Sequence, residues 1–245
     1  MSGFTFATVI LGAVTETQTL RKTVEEIARL CGDGSVGEVI IGYPPKAVTP
    51  QTLETINSLA SSSFPFELIA CPDKRPFLSS ILDAFDIARG SHIILAPSDM
   101  AVDLSCITEM IKGARREPDT IFSSSRFLPG CKLYEYGTLK AFINRCAQLY
   151  MRVLFKVRLT DFTNPYQIAP TELYRSIKFE ETGFPILLEM VLKPLRLGYK
   201  FKEIPTNCYP RREGKSRNSK KQMLGYLKTS LHIRFMKKKD ILINP

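Results

Sequence analysis

Short apolar, β-branched runs alternate with longer amphipathic stretches through the first half of the chain. Runs at 6–11, 38–41, 67–71 and 92–96 are each followed by a stretch with apolar residues at helical spacing, at 19–30, 51–59, 77–89 and 104–115. Runs this short, with no polar face of their own, read as strands covered on both sides, which is the condition of a parallel sheet. Four strand-then-helix units in succession predict an α/β fold, a mostly parallel, doubly wound central sheet with helices on both faces.

The pattern then loosens. A strand is expected at 120–127, a long helix at 138–155, a loop-rich stretch at 161–170, a helix at 185–197 and a short strand at 200–204. A basic stretch at 220–239 interleaves Met223, Leu224, Leu227, Leu231 and Phe235 with cations, as an amphipathic helix does. The expected organisation is one α/β domain over 1–218 and a basic helix or tail over 219–245 continuous with it. Ligands of open α/β sheets bind at the carboxyl ends of the strands, which directs attention to 12–16, 42–45, 71–75 and 97–103.

Composition narrows the class. With 44% hydrophobic and 24% charged residues, the 245-residue chain has the make-up of a globular protein with a sizeable core. No apolar stretch approaches the roughly 20 residues that span a bilayer, and the first apolar run lacks the basic flank of a signal peptide. A cytoplasmic protein is expected. Six scattered cysteines form no CxxC pair and only His92 and His232 are present, so neither structural zinc nor a disulfide framework is expected.

The net charge of +10 changes the picture more. Residues 211–239 hold eleven Lys/Arg and one acid, Glu213, while the remaining 23 basic and 23 acidic residues cancel. Such a block calls for an anionic partner: ligand phosphates, an acidic membrane face or nucleic acid.

Carboxylates mark the candidate chemistry. The run at 92–96 delivers Asp99 at a strand end and Asp103 four residues on, where the pair is placed to hold a hard Mg2+ or Mn2+ together with substrate phosphates. Helix capping is the other reading for Asp103. Asp161 lies in the loop-rich stretch and serves either an Asx turn or a catalytic or acceptor-positioning role. If the acceptor is a hydroxyl, a general base is required, for which Asp161, Glu180 and Glu181 are the candidates. If it is a lipid phosphate, the nucleophile is already anionic and needs orientation and screening instead. The loop carrying Arg211, Arg212, Lys215, Ser216 and Arg217 presents guanidinium forks suited to diphosphate oxygens.

These segments together resemble glycosyltransferase family 2 and, within it, the polyprenyl-phosphate sugar synthases. Asp99 with the following 104–111 stretch resembles the family's DxD segment, with Pro97 at the place of the first acid. Ser125-Arg126-Phe127 followed by Gly130 is similar to its Ser-Arg-Tyr strand and glycine turn. The 161–167 stretch is similar to its Asp-x-Thr-Ser-Gly-Phe-Arg loop, with Pro165 for glycine and Gln167 for arginine. Gly183-Phe184, Glu189, Gly198-Tyr199, Glu203-Ile204-Pro205 and the Arg211-x-x-Gly214-x-Ser216-Arg217 loop follow the order and spacing of its closing signature. In the turn after the first strand only Glu16 matches the family's Asn-Glu.

The resemblance implies a GT-A-type, Rossmann-like fold and a metal-assisted, inverting transfer of a sugar from a nucleotide-sugar donor to a polyprenyl-phosphate or glycan acceptor. It implies metal ligation by Asp99 and Asp103 with Mg2+ or Mn2+, catalysis by Asp161 or Glu181, and substrate or diphosphate contacts from Glu16, Arg126, Gln167, Arg211, Arg212, Lys215, Ser216 and Arg217. Residues 220–239 read either as a helix lying peripherally on the cytoplasmic face of an anionic membrane or as an ordinary helix packed on the domain. A catalytically inactive relative that binds a sugar nucleotide or a partner is the alternative. A nucleic-acid binder is the weaker rival, since it leaves the strand-end acids without a role.

Overall fold

The computed structural model describes residues 3–73, 75, 81–135, 137–213 and 220–243, with the backbone but not the side chains of 220–223. In chain order the elements are β1 (Ala7–Gly12), α1 (Gln18–Leu30), β2 (Val36–Tyr43), α2 (Pro50–Ala60), β3 (Glu67–Pro72), α3 (Leu82–Ile87), β4 (His92–Ala96), α4 (Cys106–Arg116) and β5 (Thr120–Ser125). There follow α5 (Thr138–Phe155), β6 (Gln167–Pro170), α6 (Thr171–Ser176), α7 (Ile186–Leu197), β7 (Lys200–Pro205), α8 (Lys220–Phe235) and α9 (Lys238–Ile241).

Among the described residues the strands form one sheet in the order β3-β2-β1-β4-β6-β5-β7. All neighbours run parallel except β6, which is antiparallel to both β4 and β5. The four predicted strand-then-helix units are all present, and β1, β2 and β4 are buried on both faces as their composition requires, while the edge strands β3 and β7 are half-buried. Along β1, Ala7, Val9 and Leu11 point into one apolar cluster while Ile10 points into the cluster on the opposite face.

Local chemistry sets the helix ends. Pro50 opens α2 and the Thr49 hydroxyl accepts the Thr52 amide at 3.2 Å, which satisfies one of the free N–H groups of the first turn. In α1, Leu20, Val24 and Ile27 recur at helical spacing and are fully buried. Gly198 ends α7 with φ 101, a conformation that strains any side-chain-bearing residue. Gly113 lets α4 lie against β5, because a Cβ there would come within 2.5 Å of the Phe122 ring.

Three expectations shift. The 161–170 stretch is not all loop: its last four residues form β6, the strand that joins the two parts of the sheet. The strand expected at 120–127 ends at Ser125, which frees Arg126 from the ladder. The helix expected at 77–89 is described only as α3, since residues 76–80 lie outside the described residues.

Candidate active site

The strand order reverses direction between β1 and β4: from β1 the chain moves outward to β2 and β3, then returns on the other side of β1 as β4. A crevice opens at the carboxyl ends of strands at such a point. Here the Ser98 hydroxyl donates to the Gly12 carbonyl and ties the two strand ends together. The turn after β1 folds over its own acid, with the Glu16 carboxylate accepting the amides of Val14 at 2.8 Å and Thr15 at 2.9 Å.

After β4 the backbone turns sharply at Met100, a non-glycine residue in the left-handed region with φ 52. That turn lets one oxygen of Asp99 accept the Ala101 amide at 3.0 Å, while its other oxygen meets the Arg211 guanidinium at 2.9 Å. Asp99 is largely covered, its side chain 14% exposed, and Arg211 is half open to solvent. The charge partner of Asp99 is therefore a half-exposed cation arriving from another segment. Asp103 gives one oxygen to the Ser105 amide at 2.9 Å, an Asx turn just ahead of α4, whose N-cap residue, Ser105, makes no side-chain cap.

What brings Arg211 there is the strip that follows β7. The Asp103 amide donates to the Asn207 carbonyl, Cys208 bridges to both Val102 and Leu133, and the Tyr209 amide donates to the Ala101 carbonyl. Tyr134 and Tyr209 stack with centroids 5.2 Å apart. The strip thus runs over the loop that carries Asp99 and Asp103. Two residues beyond Arg211, the Glu213 carboxylate accepts five hydrogen bonds, from the amides of Thr17, Gln18 and Thr19 and the hydroxyls of Thr17 and Thr19, at 2.8 to 3.1 Å. It sits on the N-terminus of α1, where the free N–H groups and the helix dipole favour an anion. Partial burial alone would raise its pKa, but the donors outweigh burial and bring it down to about 2.

A second cluster is built on buried charge. Just past β5, Arg126 forks onto Asp161, Nε to Oδ2 at 2.7 Å and Nη2 to Oδ1 at 2.9 Å, with the Asp161 side chain wholly buried. Asp161 also accepts the amides of Arg126 and Thr163. Burial alone would raise the Asp161 carboxyl, yet the guanidinium and these hydrogen bonds hold it below the usual value. Both oxygens are committed, and a carboxylate so held is a weak proton acceptor. Its geometry suits holding Arg126 in place. From β7, Glu203 accepts the Thr160 amide and hydroxyl and the Asp161 amide, and burial pushes its own carboxyl up. The two clusters meet through Thr206, whose amide donates to Ser125 and whose hydroxyl donates to the Asp103 carbonyl.

The remaining candidates fall elsewhere. Gln167 is fully buried in β6, its amide donating to the Tyr174 hydroxyl and the Met190 carbonyl, so it is turned into the packing rather than toward a diphosphate. Glu181 accepts the Thr229 hydroxyl of α8, and Glu180 lies 3.3 Å from the buried Lys193 and 3.5 Å from His232. Both belong to a separate group, organised by Glu189, which pairs with Lys193 at 2.6 Å and accepts the amides of Glu180 and Glu181. Arg212 is exposed beside Arg211, and Lys215, Ser216 and Arg217 lie outside the described residues. Glu203 and Glu213 are site residues to which sequence reasoning gave no role. The signal for Glu213 was present: it is the one acid inside a block of eleven cations.

A divalent ion fits this donor set in one respect. Among the described residues no group of three metal-ligating side chains occurs, but Mg2+ and Mn2+ are commonly held by one or two carboxylates, with substrate phosphates and water completing the shell. Asp99, now matched to a displaceable guanidinium, is the group suited to that role, and Asp103 has one oxygen uncommitted to Ser105.

Comparison with known proteins places these features. The sequence model of Glycosyl transferase family 2 matches residues 8–183. An undecaprenyl-phosphate mannosyltransferase from Micrococcus luteus is 29% identical over 109 residues, covering 43% of this chain and 44% of that protein, so the match spans under half of that relative's length. Among solved structures, glucosyl-3-phosphoglycerate synthase from Mycobacterium tuberculosis in complex with Mn2+, UDP and glucosyl-3-phosphoglycerate superposes with a TM-score of 0.68 at 15% identity, covering 95% of this chain and 81% of that one. The same enzyme with Mg2+ and UDP gives a TM-score of 0.67 at 16% identity, over 95% and 80% of the two chains. At such identity the likeness establishes the fold, which is the GT-A-type α/β arrangement expected.

Proposed function

Because the chain belongs to glycosyltransferase family 2, we propose that it transfers a single sugar from a nucleotide-sugar donor to a polyprenyl phosphate, with inversion at the anomeric carbon. The observation that carries this reading is the Arg211–Asp99 pair at the β1/β4 crevice, a cation and a carboxylate facing each other where a donor diphosphate would lie.

Asp99, with Asp103 beside it, would hold Mg2+ or Mn2+. When bound, that ion supplies charge neutralisation on the departing diphosphate. Arg211 leaves Asp99 and forks onto the diphosphate oxygens, and Arg212, Lys215, Ser216 and Arg217 extend the clamp. Glu16 shapes the turn that receives the nucleotide. Arg126, locked by Asp161 and lying over the Phe127 ring, supplies positive charge on the acceptor side, and Asp161 is a positioning residue. A phosphate acceptor carries its own negative charge and requires no proton acceptor in this cluster. A glycan hydroxyl would require one, and neither Asp161, committed to Arg126, nor Glu181, held in the separate Glu189 group, is placed to serve.

The lipid-phosphate acceptor is supported by the named activity of the Micrococcus luteus relative and by the basic segment at 220–239, which we assign to peripheral contact with an anionic membrane. Among the described residues no helix is long and apolar enough to cross a membrane. The test is a screen of the purified chain with UDP-, GDP- and dTDP-sugars, Mn2+ or Mg2+, and a short polyprenyl phosphate or a soluble glycan. Metal-dependent release of nucleoside diphosphate that accelerates with the polyprenyl phosphate is expected. Silence with every donor, and no thermal shift by any nucleoside diphosphate, would instead support the inactive relative.

A further inference from the structure

One long helix has its apolar side on the wrong face for a protein in water. In α5, Leu139, Phe142, Ile143, Cys146, Leu149 and Val153 recur at intervals of three and four, which places them on one side of the helix. That side faces solvent: Leu139 is 71% exposed, Phe142 66% and Val153 69%. The inner face buries Gln148 and Met151. Over 18 residues the stripe runs the length of the helix, about 27 Å.

The neighbouring α8 repeats the arrangement. Leu224, Leu227, Leu231 and Phe235 are exposed and recur at intervals of three and four, while Thr229, Ser230 and Ile233 are buried. The two helices lie side by side, with Arg234 Nε donating to the Leu154 carbonyl at 2.8 Å and the hydroxyls of Tyr150 and Ser230 at 3.3 Å. Neither helix contains an acidic residue. Lys140, Arg145 and Arg152 belong to α5, and Lys220, Lys221, Lys228 and Arg234 to α8.

We propose that the outer face of α5 is a membrane-docking surface that lies in the headgroup layer of an anionic bilayer, with α8 as its partner. An exposed apolar stripe whose own helix carries cations and no acid is the chemistry of an interfacial helix. A second copy of the chain is a poorer occupant, because a two-fold contact would set this surface against itself and bring the cations of α5 and α8 toward one another. The inference goes beyond the basic tail, since it assigns the deeper apolar contact to a helix outside 220–239, and it holds whatever the acceptor is.

The placement links docking to the site. From the inner face of α5, Gln148 accepts the Phe162 amide at 2.8 Å and donates to the Thr163 hydroxyl at 3.1 Å, and Thr163 in turn accepts from Arg126 at 2.9 Å. The outer face would therefore rest on the bilayer while the inner face holds the Arg126–Asp161 cluster, one helix diameter of about 10 Å away.

The experiment is flotation of the full chain with vesicles of pure phosphatidylcholine and of phosphatidylcholine with about one third phosphatidylglycerol. Binding to the anionic vesicles is expected, and the triple variant Phe142→Asp, Leu149→Asp, Val153→Asp should lower the partition coefficient at least about tenfold, with an unchanged melting temperature. Replacing Lys237, Lys238 and Lys239 by Ser should weaken binding less. No flotation of the wild type with anionic vesicles would overturn the proposal. So would flotation that the α5 variant leaves intact, or a dimer seen by light scattering that the α5 substitutions split while vesicles bind neither form.

Discussion

The two ends of the sheet are held together by different physics. Around β1, β2 and β4 the strands are apolar on both faces save for one buried tie at their amino ends, where Thr8 and Arg89 hold Glu38, and the turns after β1 and β4 are fixed mostly by backbone amides folding onto nearby side chains such as Glu16 and Asp99. Around β5 and β7 the loops are fixed by buried charge: Arg126 on Asp161, and Glu203 on Thr160 and Asp161. The difference teaches where rigidity at a crevice comes from. The parallel half positions the turns after β1 and β4 largely by register, with its buried carboxylates Glu38 and Asp73 paired elsewhere, whereas the irregular half with its antiparallel insertion places polar ties in the loops of the site itself, each of which must be satisfied to avoid a buried unpaired charge.

The sharpest way to break this contrast is to remove one member of the buried pair. Arg126→Ala leaves Asp161 buried and unpaired and should cost about 3–5 kcal/mol in urea unfolding. The double variant Arg126→Met, Asp161→Leu should recover part of that loss, because no charge is stranded. A loss of under about 1 kcal/mol in the single variant would mean that the pair is solvated in solution and the contrast is false.

On the other side, Leu11→Ala removes a fully buried side chain from β1 and should cost about 3 kcal/mol through lost burial and a residual cavity. Here a polar rescue is not expected. Leu11→Met should retain most of the stability, since volume rather than hydrogen bonding is what the site requires.

A smaller effect sharpens the link between the two ends, which runs through Glu213 on the N-terminus of α1. Its pKa is depressed in the folded chain to about 2, so the contact stabilises fully above the ordinary carboxylate value of about 4.3 and is lost as pH falls toward the depressed one. Glu213→Gln should lower stability by about 1 kcal/mol at neutral pH. Between pH 4.5 and 2 the variant should lose less stability than the wild type. Parallel acid profiles for the two proteins would show that the contact does not form in solution.

How much of this was legible in the sequence follows the same division. The strand-then-helix units were readable because a doubly covered strand is marked by an uninterrupted apolar run, and α1 by Leu20, Val24 and Ile27 at one spacing. The strand β6 was not, because its four residues include Gln167 and end at Pro170, and what makes them a strand is the gap between β4 and β5. In the site, Asp99, Arg126, Asp161 and Arg211 were picked out by type and order, and the structure brings Asp99 to Arg211 and Arg126 to Asp161. That Asp161 has both oxygens occupied, and that Glu213 closes the strip onto α1, are facts of pairing over 35 and 196 residues of chain, which no local pattern encodes. The solvent-facing stripe of α5 was read as a helix by its period, but period alone does not say which side is wet.

In the proposed reaction Asp99 and Arg211 exchange each other for a metal-bound donor diphosphate. The most direct measurement is calorimetric titration of the wild type and of Asp99→Asn with UDP and GDP, each with and without Mn2+. Tight binding of one nucleotide by the wild type is expected only when Mn2+ is present, with loss of that metal dependence in Asp99→Asn and the fold intact. Equal binding with and without Mn2+, unchanged by the substitution, would contradict it.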